Sequence, residues 1–238
     1  MIPTEYPITW KKNNFGIKIY CSIPAIATGI MLTAGDTRFL LDPGDGILRD
    51  LNDELSNEQM FNISDLFITH GHHDHVGGVW ALLTYFRVMR RSSDLHIHYP
   101  EGCVEIESIY NAFKSVYSKS TPYHIVMHTI YDELPFSRKK VKVQPFPVVH
   151  REYTADGKTT QLVPSLGYKF NFEGVKICYG GDTAYCDSLA KMAKDSDLAV
   201  IEAGEEDEDN HDGMHMTKDE ALKIAQSAKE FCLVHVPD

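Results

Sequence analysis

Thr69-His70-Gly71-His72-His73-Asp74-His75 is the stretch on which the reading of this chain turns. Imidazoles at positions 70, 72 and 75 and a carboxylate at 74 form a donor set suited to zinc and neighbouring divalent metals. Asp65-Leu66-Phe67-Ile68, just before it, is a short apolar run of strand type, so His70 falls where a strand ends. Val76-Gly77-Gly78-Val79-Trp80-Ala81-Leu82-Leu83, just after it, opens a helix expected over 76–91, with Val76, Val79, Trp80, Leu83 and Arg87 at helical spacing and Trp80 in the core. A loop between strand and helix can turn four side chains onto one point.

Four ligands from one loop do not close two metal sites, so others must come from elsewhere. Gln144-Pro145-Phe146-Pro147-Val148-Val149 ends in His150, Gly174 to Gly181 ends in Asp182, and Glu230-Phe231-Cys232-Leu233-Val234 ends in His235. Taken singly, His150 and His235 read as ordinary strand-end histidines. Strand ends are also where an α/β layer gathers ligands. The ordered set behind an H-x-H-x-D-H run resembles the metallo-β-lactamase fold superfamily. The resemblance implies an α/β fold, a four-layer αββα sandwich, in a single domain over 1–238. It implies one metal on His70, His72 and His150, a second on Asp74, His75 and His235, and Asp182 bridging two divalent ions: zinc, with manganese or iron as alternatives. The diiron redox branch carries Glu where this chain has His72, so the resemblance is to the hydrolases.

A narrower resemblance covers roughly 25 to 235. Glu202-Ala203 at the end of an apolar strand and His215-Met216-Thr217 before a helix are similar to the ribonuclease Z-like branch, as are Pro164 to Phe170, Tyr179 to Thr183 and Leu41-Asp42-Pro43-Gly44-Asp45-Gly46. There the Glu orients the His, which assists at the phosphate. Local chemistry agrees: Thr217 and Glu220 form a capping box, followed by Ala221, Ile224, Ala225 and Ala228 at helical spacing. His215 therefore sits beside a helix N-terminus, an end that favours anions. Two departures stand out. Segments 101–140 and 151–163 are too short for the branch's basic projecting arm, and Ser22 to Gly29 lacks its Gly-Thr-Gly run.

The expected activity is a dinuclear metal-dependent hydrolase, a phosphodiesterase. A hydroxide shared by two metals attacks phosphorus, Asp74 orients it, and the Glu202–His215 pair assists. A ribonuclease Z-type tRNA 3′-end endonuclease and a thioester or lactone hydrolase of the same fold are the alternatives. Net charge is −11, and Glu205, Glu206, Asp207, Glu208, Asp209 and Asp212 share one loop between Glu202 and His215. That field and the sparse basic pairs argue against long nucleic acid and for a small or short phosphodiester. The loop after His150, with its Asp156-Gly157 hairpin signal, is a candidate flap over the substrate.

Hydrophobic residues make up 43% of the chain, normal for a packed core. Five cysteines, an odd number with no C-x-x-C pair, read as free thiols of a reducing compartment. No signal peptide or membrane-spanning run is legible, so the cytoplasm is expected. The branch resembled is often dimeric, which implies a homodimer by analogy alone.

Overall fold

The computed structural model describes residues 5–21, 29–205 and 213–237. The departure at 22–28 and the acidic residues Glu206, Asp207, Glu208, Asp209 and Asp212 lie outside the described residues. The chain divides into two compact units, one formed by Tyr6–Cys21 and 29–130, the other by Glu5 and the described residues from 131 onward.

The amino-terminal unit is built on a seven-stranded sheet whose order is the chain order. Strands β1 (Ile8–Lys12), β2 (Phe15–Cys21), β3 (Gly29–Ala34) and β4 (Thr37–Leu41) form an antiparallel meander. A tight turn at 34–36 joins β3 to β4, with Gly35 at φ 58°. Helices α1 (Ile47–Glu54) and α2 (Asn57–Phe61) then carry the chain to β5 (Ile63–Phe67), parallel to β4. Helices α3 (His73–Val76) and α4 (Val79–Val88) lead to β6 (Leu95–Pro100), and α5 (Val104–Tyr117) to β7 (Ile125–Ile130), again in parallel. Parallel neighbours need such crossovers. Leu40, Leu66 and Ile97 of the sheet pack with Leu51, Leu82, Phe86 and Phe113 of the helices.

The helix expected over 76–91 is two pieces. The first, α3, includes the second half of the histidine-rich stretch, so Asp74 and His75 lie on a helical turn rather than in a free loop. Gly78 separates the pieces because the segment around Pro43 and Gly44 crosses it. Its N–H donates to Pro43 O at 2.9 Å, and a Cβ there would collide with Gly44 O. Trp80 is 37% exposed and meets Phe113 and Tyr117 rather than filling the core. Ile106 and Phe113 are the buried residues of α5, whereas Val104 and Val116 are exposed.

The carboxy-terminal unit holds β8 (Phe136–Arg138), β9 (Val141–Pro147), β10 (His150–Tyr153), β11 (Thr160–Val163), β12 (Leu166–Phe172), β13 (Val175–Tyr179), α6 (Asp187–Ala193), β14 (Leu198–Glu202), α7 (Lys218–Ala225) and β15 (Glu230–Val234). Six strands form one sheet in the order β15-β14-β13-β12-β9-β8, and β10 and β11 pair apart from it. The members β13, β14 and β15 are parallel. Leu198-Ala199-Val200-Ile201-Glu202 is buried throughout, as a central parallel strand should be. Phe146, Ile201 and Leu233 pack with Leu189 of α6 and Ile224 of α7. The expected capping box is present: Thr217 Oγ1 accepts from Glu220 N, and the Glu220 carboxylate accepts from Thr217 N. All five cysteines are free, with Cys178 and Cys232 inside core strands. No helix among the described residues is long and apolar enough to cross a membrane.

Candidate metal centre and catalytic pair

In the amino-terminal unit, His70, His72, Asp74 and His75 gather beyond the end of β5. The His70 ring lies 4.7 Å from that of His72 and 4.1 Å from that of His75, centroid to centroid. Asp74 Oδ2 lies 3.4 Å from His75 Nε2. A fifth residue, Asp42, organises the group. It follows β4, is fully buried and has φ 43°, in the left-handed region. Its Oδ1 accepts the Thr69 N–H at 2.7 Å, and its Oδ2 accepts the Thr69 hydroxyl at 2.7 Å. Oδ2 also lies 3.0 Å from His75 Nδ1. An ionised carboxylate only accepts, so His75 carries its proton on Nδ1 and directs the Nε2 lone pair toward Asp74. Because the Thr69 hydroxyl donates to Asp42, it can accept only from His70 Nδ1, 3.0 Å away, which fixes the same tautomer in His70. One carboxylate thus orients two imidazoles, directly and through a hydroxyl.

In the carboxy-terminal unit, Asp182 follows β13, His235 follows β15, and His150 opens β10 instead of ending β9 as the sequence suggests. Gly181, at φ 64°, turns the chain into Asp182, and His235 itself is left-handed at φ 54°. Asp182 Oδ1 is 3.4 Å from His235 Nε2, and His150 Nδ1 donates to Met214 O at 3.3 Å, leaving Nε2 as the acceptor nitrogen. Buried Glu202 is held by the N–H groups of Thr183 (2.9 Å) and Met216 (3.2 Å) on Oε1 and of Gly204 (2.7 Å) on Oε2. Its Oε1 also lies 3.2 Å from His215 Nδ1. Acceptance by the carboxylate places the His215 proton on Nδ1. The His215 side chain is 30% exposed, and its ring centroid lies 5.3 Å from that of His150.

The residues fit divalent metals. Every donor is an imidazole nitrogen or a carboxylate oxygen, and His70, His75, His150, Asp182 and His235 are all buried. Ionisable groups buried in such number are costly unless paired or coordinating a metal. The carboxylate and carbonyl partners on the far ring nitrogens are the outer contacts that metal-bound histidines carry. In the sequence, the Leu41-Asp42-Pro43-Gly44 run is legible only as a resemblance, and the roles of Asp42, Thr69 and Thr183 are missed. The one local signal is a charged residue placed directly after a buried strand.

The family model for the β-lactamase superfamily domain matches residues 37–236. Ribonuclease Z of Pyrococcus horikoshii is 27% identical, the match covering 90% of this chain and 79% of that protein. Among solved structures, human tRNase Z, short form, superposes with a TM-score of 0.74 at 22% identity over 92% of each chain. The metallo-β-lactamase fold protein YhfI of Bacillus subtilis gives 0.74 at 19% identity, over 95% of this chain and 88% of that one. The chain belongs to the β-lactamase superfamily and is a metal-dependent hydrolase of the metallo-β-lactamase fold.

Proposed function

We propose that the chain is a phosphodiesterase acting on small or short substrates. His70, His72 and His150 would hold one divalent cation, Asp74, His75 and His235 a second, and Asp182 would be shared. Zinc suits this mixture of imidazole and carboxylate, with manganese or iron as alternatives. Bound cations supply Lewis acidity toward phosphoryl oxygens and a lowered pKa for water at neutral pH. The protein's part is orientation: Asp42 and Thr69 set the tautomers of His75 and His70, and Asp74 orients the attacking water. Glu202 holds His215 so that, when the ring is protonated, Nε2 presents a proton to the leaving oxygen.

The Glu202–His215 pair carries the reading. Three backbone N–H groups fix the carboxylate, and its side-chain partner among the described residues is the partly exposed His215. An acyl hydrolase of the same fold has no need of it. The relative named ribonuclease Z favours a second reading, a tRNA 3′-end endonuclease. Against it, the β10–β11 hairpin is short and the sequence is acidic. Free thiols support placement in the cytoplasm.

The test is hydrolysis of bis(p-nitrophenyl) phosphate by metal-loaded protein beside Asp182→Ala and His215→Ala. Both variants are expected to lose turnover, His215→Ala by on the order of 10²-fold or more as for a lost general acid. Unchanged turnover in His215→Ala would overturn the assigned role. Thioester or lactone hydrolysis without diester turnover would move the chain to the acyl reading.

A further inference from the structure

Ser108 to Tyr131 contains no Asp or Glu, in a chain that has 34 of them and a net charge of −11. The same stretch holds Lys114, Lys119 and His124 among Tyr110, Tyr117 and Tyr123. It runs from α5 through a loop into β7, all within the amino-terminal unit. The end of α5 and that loop enclose a cavity of about 360 Å³, inside the range of about 300–1,000 Å³ that small-molecule sites occupy. None of the candidate metal ligands lines it.

The floor of the cavity is apolar and its rim polar. Phe113 and Tyr123 are buried and Ile125 half-buried, whereas Lys114, Ser118 and His124 are exposed at the edge. The walls are held by the protein's own hydrogen bonds. The Tyr123 hydroxyl donates to Leu83 O of α4 at 2.9 Å, and His124 O accepts from Leu95 N at 2.9 Å. Tyr117 O accepts from the Thr121 N–H at 3.1 Å and from the Thr121 hydroxyl at 2.8 Å, so the last turn of α5 is closed by donors of its own chain. A ligand therefore meets a preformed site and has little protein ordering to overcome.

The charge around the cavity has one sign. Lys114 Nζ lies 5.5 Å from the centroid of the Tyr110 ring, and among the described residues neither the Lys114 nor the His124 side chain has an acidic partner. Arg87 of α4 adds a guanidinium over the Tyr117 ring, 4.2 Å from its centroid. Burial pushes the Tyr123 hydroxyl above its usual range, and the charged groups that oppose that shift are Arg91 and Arg87, both cations. A basic rim over an aromatic floor, in a protein that is acidic as a whole, selects by charge and by shape together. A flat ring stacks or packs edge-on against Phe113 and Tyr123, and an anionic group on that ring takes charge-assisted hydrogen bonds from Lys114 Nζ and a His124 ring N–H. We propose that this cavity binds a small planar aromatic anion, an aryl carboxylate or an aryl phosphate, at a place separate from the candidate metal centre. Such a site is independent of the phosphodiesterase reading.

The experiment is a ligand-observed NMR titration of zinc-loaded protein with benzoate, phenyl phosphate, benzyl alcohol and inorganic phosphate. At least one of the two aromatic anions should bind with a Kd of about 1 mM or tighter, the scale open to a ligand of this size. Binding of benzoate alone assigns the carboxylate, and binding of phenyl phosphate alone the phosphate. Benzyl alcohol, which lacks the charge, and inorganic phosphate, which lacks the ring, should each bind about tenfold more weakly, the scale of one hydrogen bond to a charged group. Lys114→Ala should weaken the aromatic anion by about tenfold, with His124→Ala acting in the same direction. Val116→Ala, exposed on α5 outside the cavity, should keep the wild-type affinity. Asp182→Ala should keep it too, which separates the cavity from anion binding at the metals. Failure of both aromatic anions to bind, equal binding of benzyl alcohol or inorganic phosphate, an affinity that Lys114→Ala leaves unchanged, or one that Asp182→Ala abolishes would each overturn the inference.

Discussion

Asp42 occupies a left-handed backbone position that asparagine tolerates as well as aspartate, so Asp42→Asn changes chemistry with little strain. The amide can keep one acceptor but must turn its NH2 toward either Thr69 or His75, both of which donate. The expected result is a loss of metal affinity of about 10–100-fold, the range for outer contacts of metal-bound histidines. Competition with a chromophoric chelator measures it, and an unchanged dissociation constant would refute the assigned role. Glu202→Gln differs because the site is lined with backbone donors. An NH2 group facing Thr183, Met216 or Gly204 leaves a buried clash of donors, costing about 1–3 kcal/mol of stability. Urea unfolding should show that loss along with reduced diester turnover; loss of turnover at full stability would mean that Glu202 serves catalysis only. The candidate ligands at 70, 72, 74, 75, 150, 182 and 235 are readable because each group follows an apolar run. The role of Asp42 is not readable, because the donors it satisfies, Thr69 and His75, lie about thirty positions away in sequence and reach it only through the β4–β5 pairing.

Gly78 ties the element carrying Asp74 and His75 to the segment after β4. An alanine methyl at this position would overlap Gly44 O, a backbone atom that no rotamer change can move, so Gly78→Ala forces the two segments apart. Overpacking of this kind costs about 1–3 kcal/mol. The expected result is a lower thermal midpoint together with weaker metal binding, because Asp42 moves with the displaced segment. A midpoint equal to wild type would show that the crossing is loose. The same crossing explains why α3 and α4 read as one helix in the sequence: apolar spacing continues through Gly77 and Gly78, and the break comes from a distant carbonyl. Strands β5, β13, β14 and β15 are legible because buried parallel strands are continuous apolar runs. Strand β1 and helices α1 and α2 are not, since 8–12 and 47–61 mix apolar with charged residues and take their places by packing.

At the scale of the molecule, each unit carries part of the proposed ligand set, with Asp182 and His235 beyond parallel strands and His150 after an antiparallel one, and each has its own core. Buried thiols report on both cores. Burial pushes Cys103 of the amino-terminal unit up to about 12 and Cys178 and Cys232 of the carboxy-terminal unit up to about 12 and about 11. At pH 8 these three are overwhelmingly protonated, and reactivity belongs to the thiolate. Ellman titration of the native protein should find them silent, with all five cysteines reacting in guanidinium; rapid reaction of five thiols at pH 8 without denaturant would contradict the packing described. The proposed function requires two divalent cations per chain. It is tested most directly by titrating metal-free protein with zinc while following bis(p-nitrophenyl) phosphate hydrolysis. The expected result is activity that climbs to a plateau at two equivalents of metal per chain; a plateau at one equivalent, or no turnover with two ions bound, would contradict it.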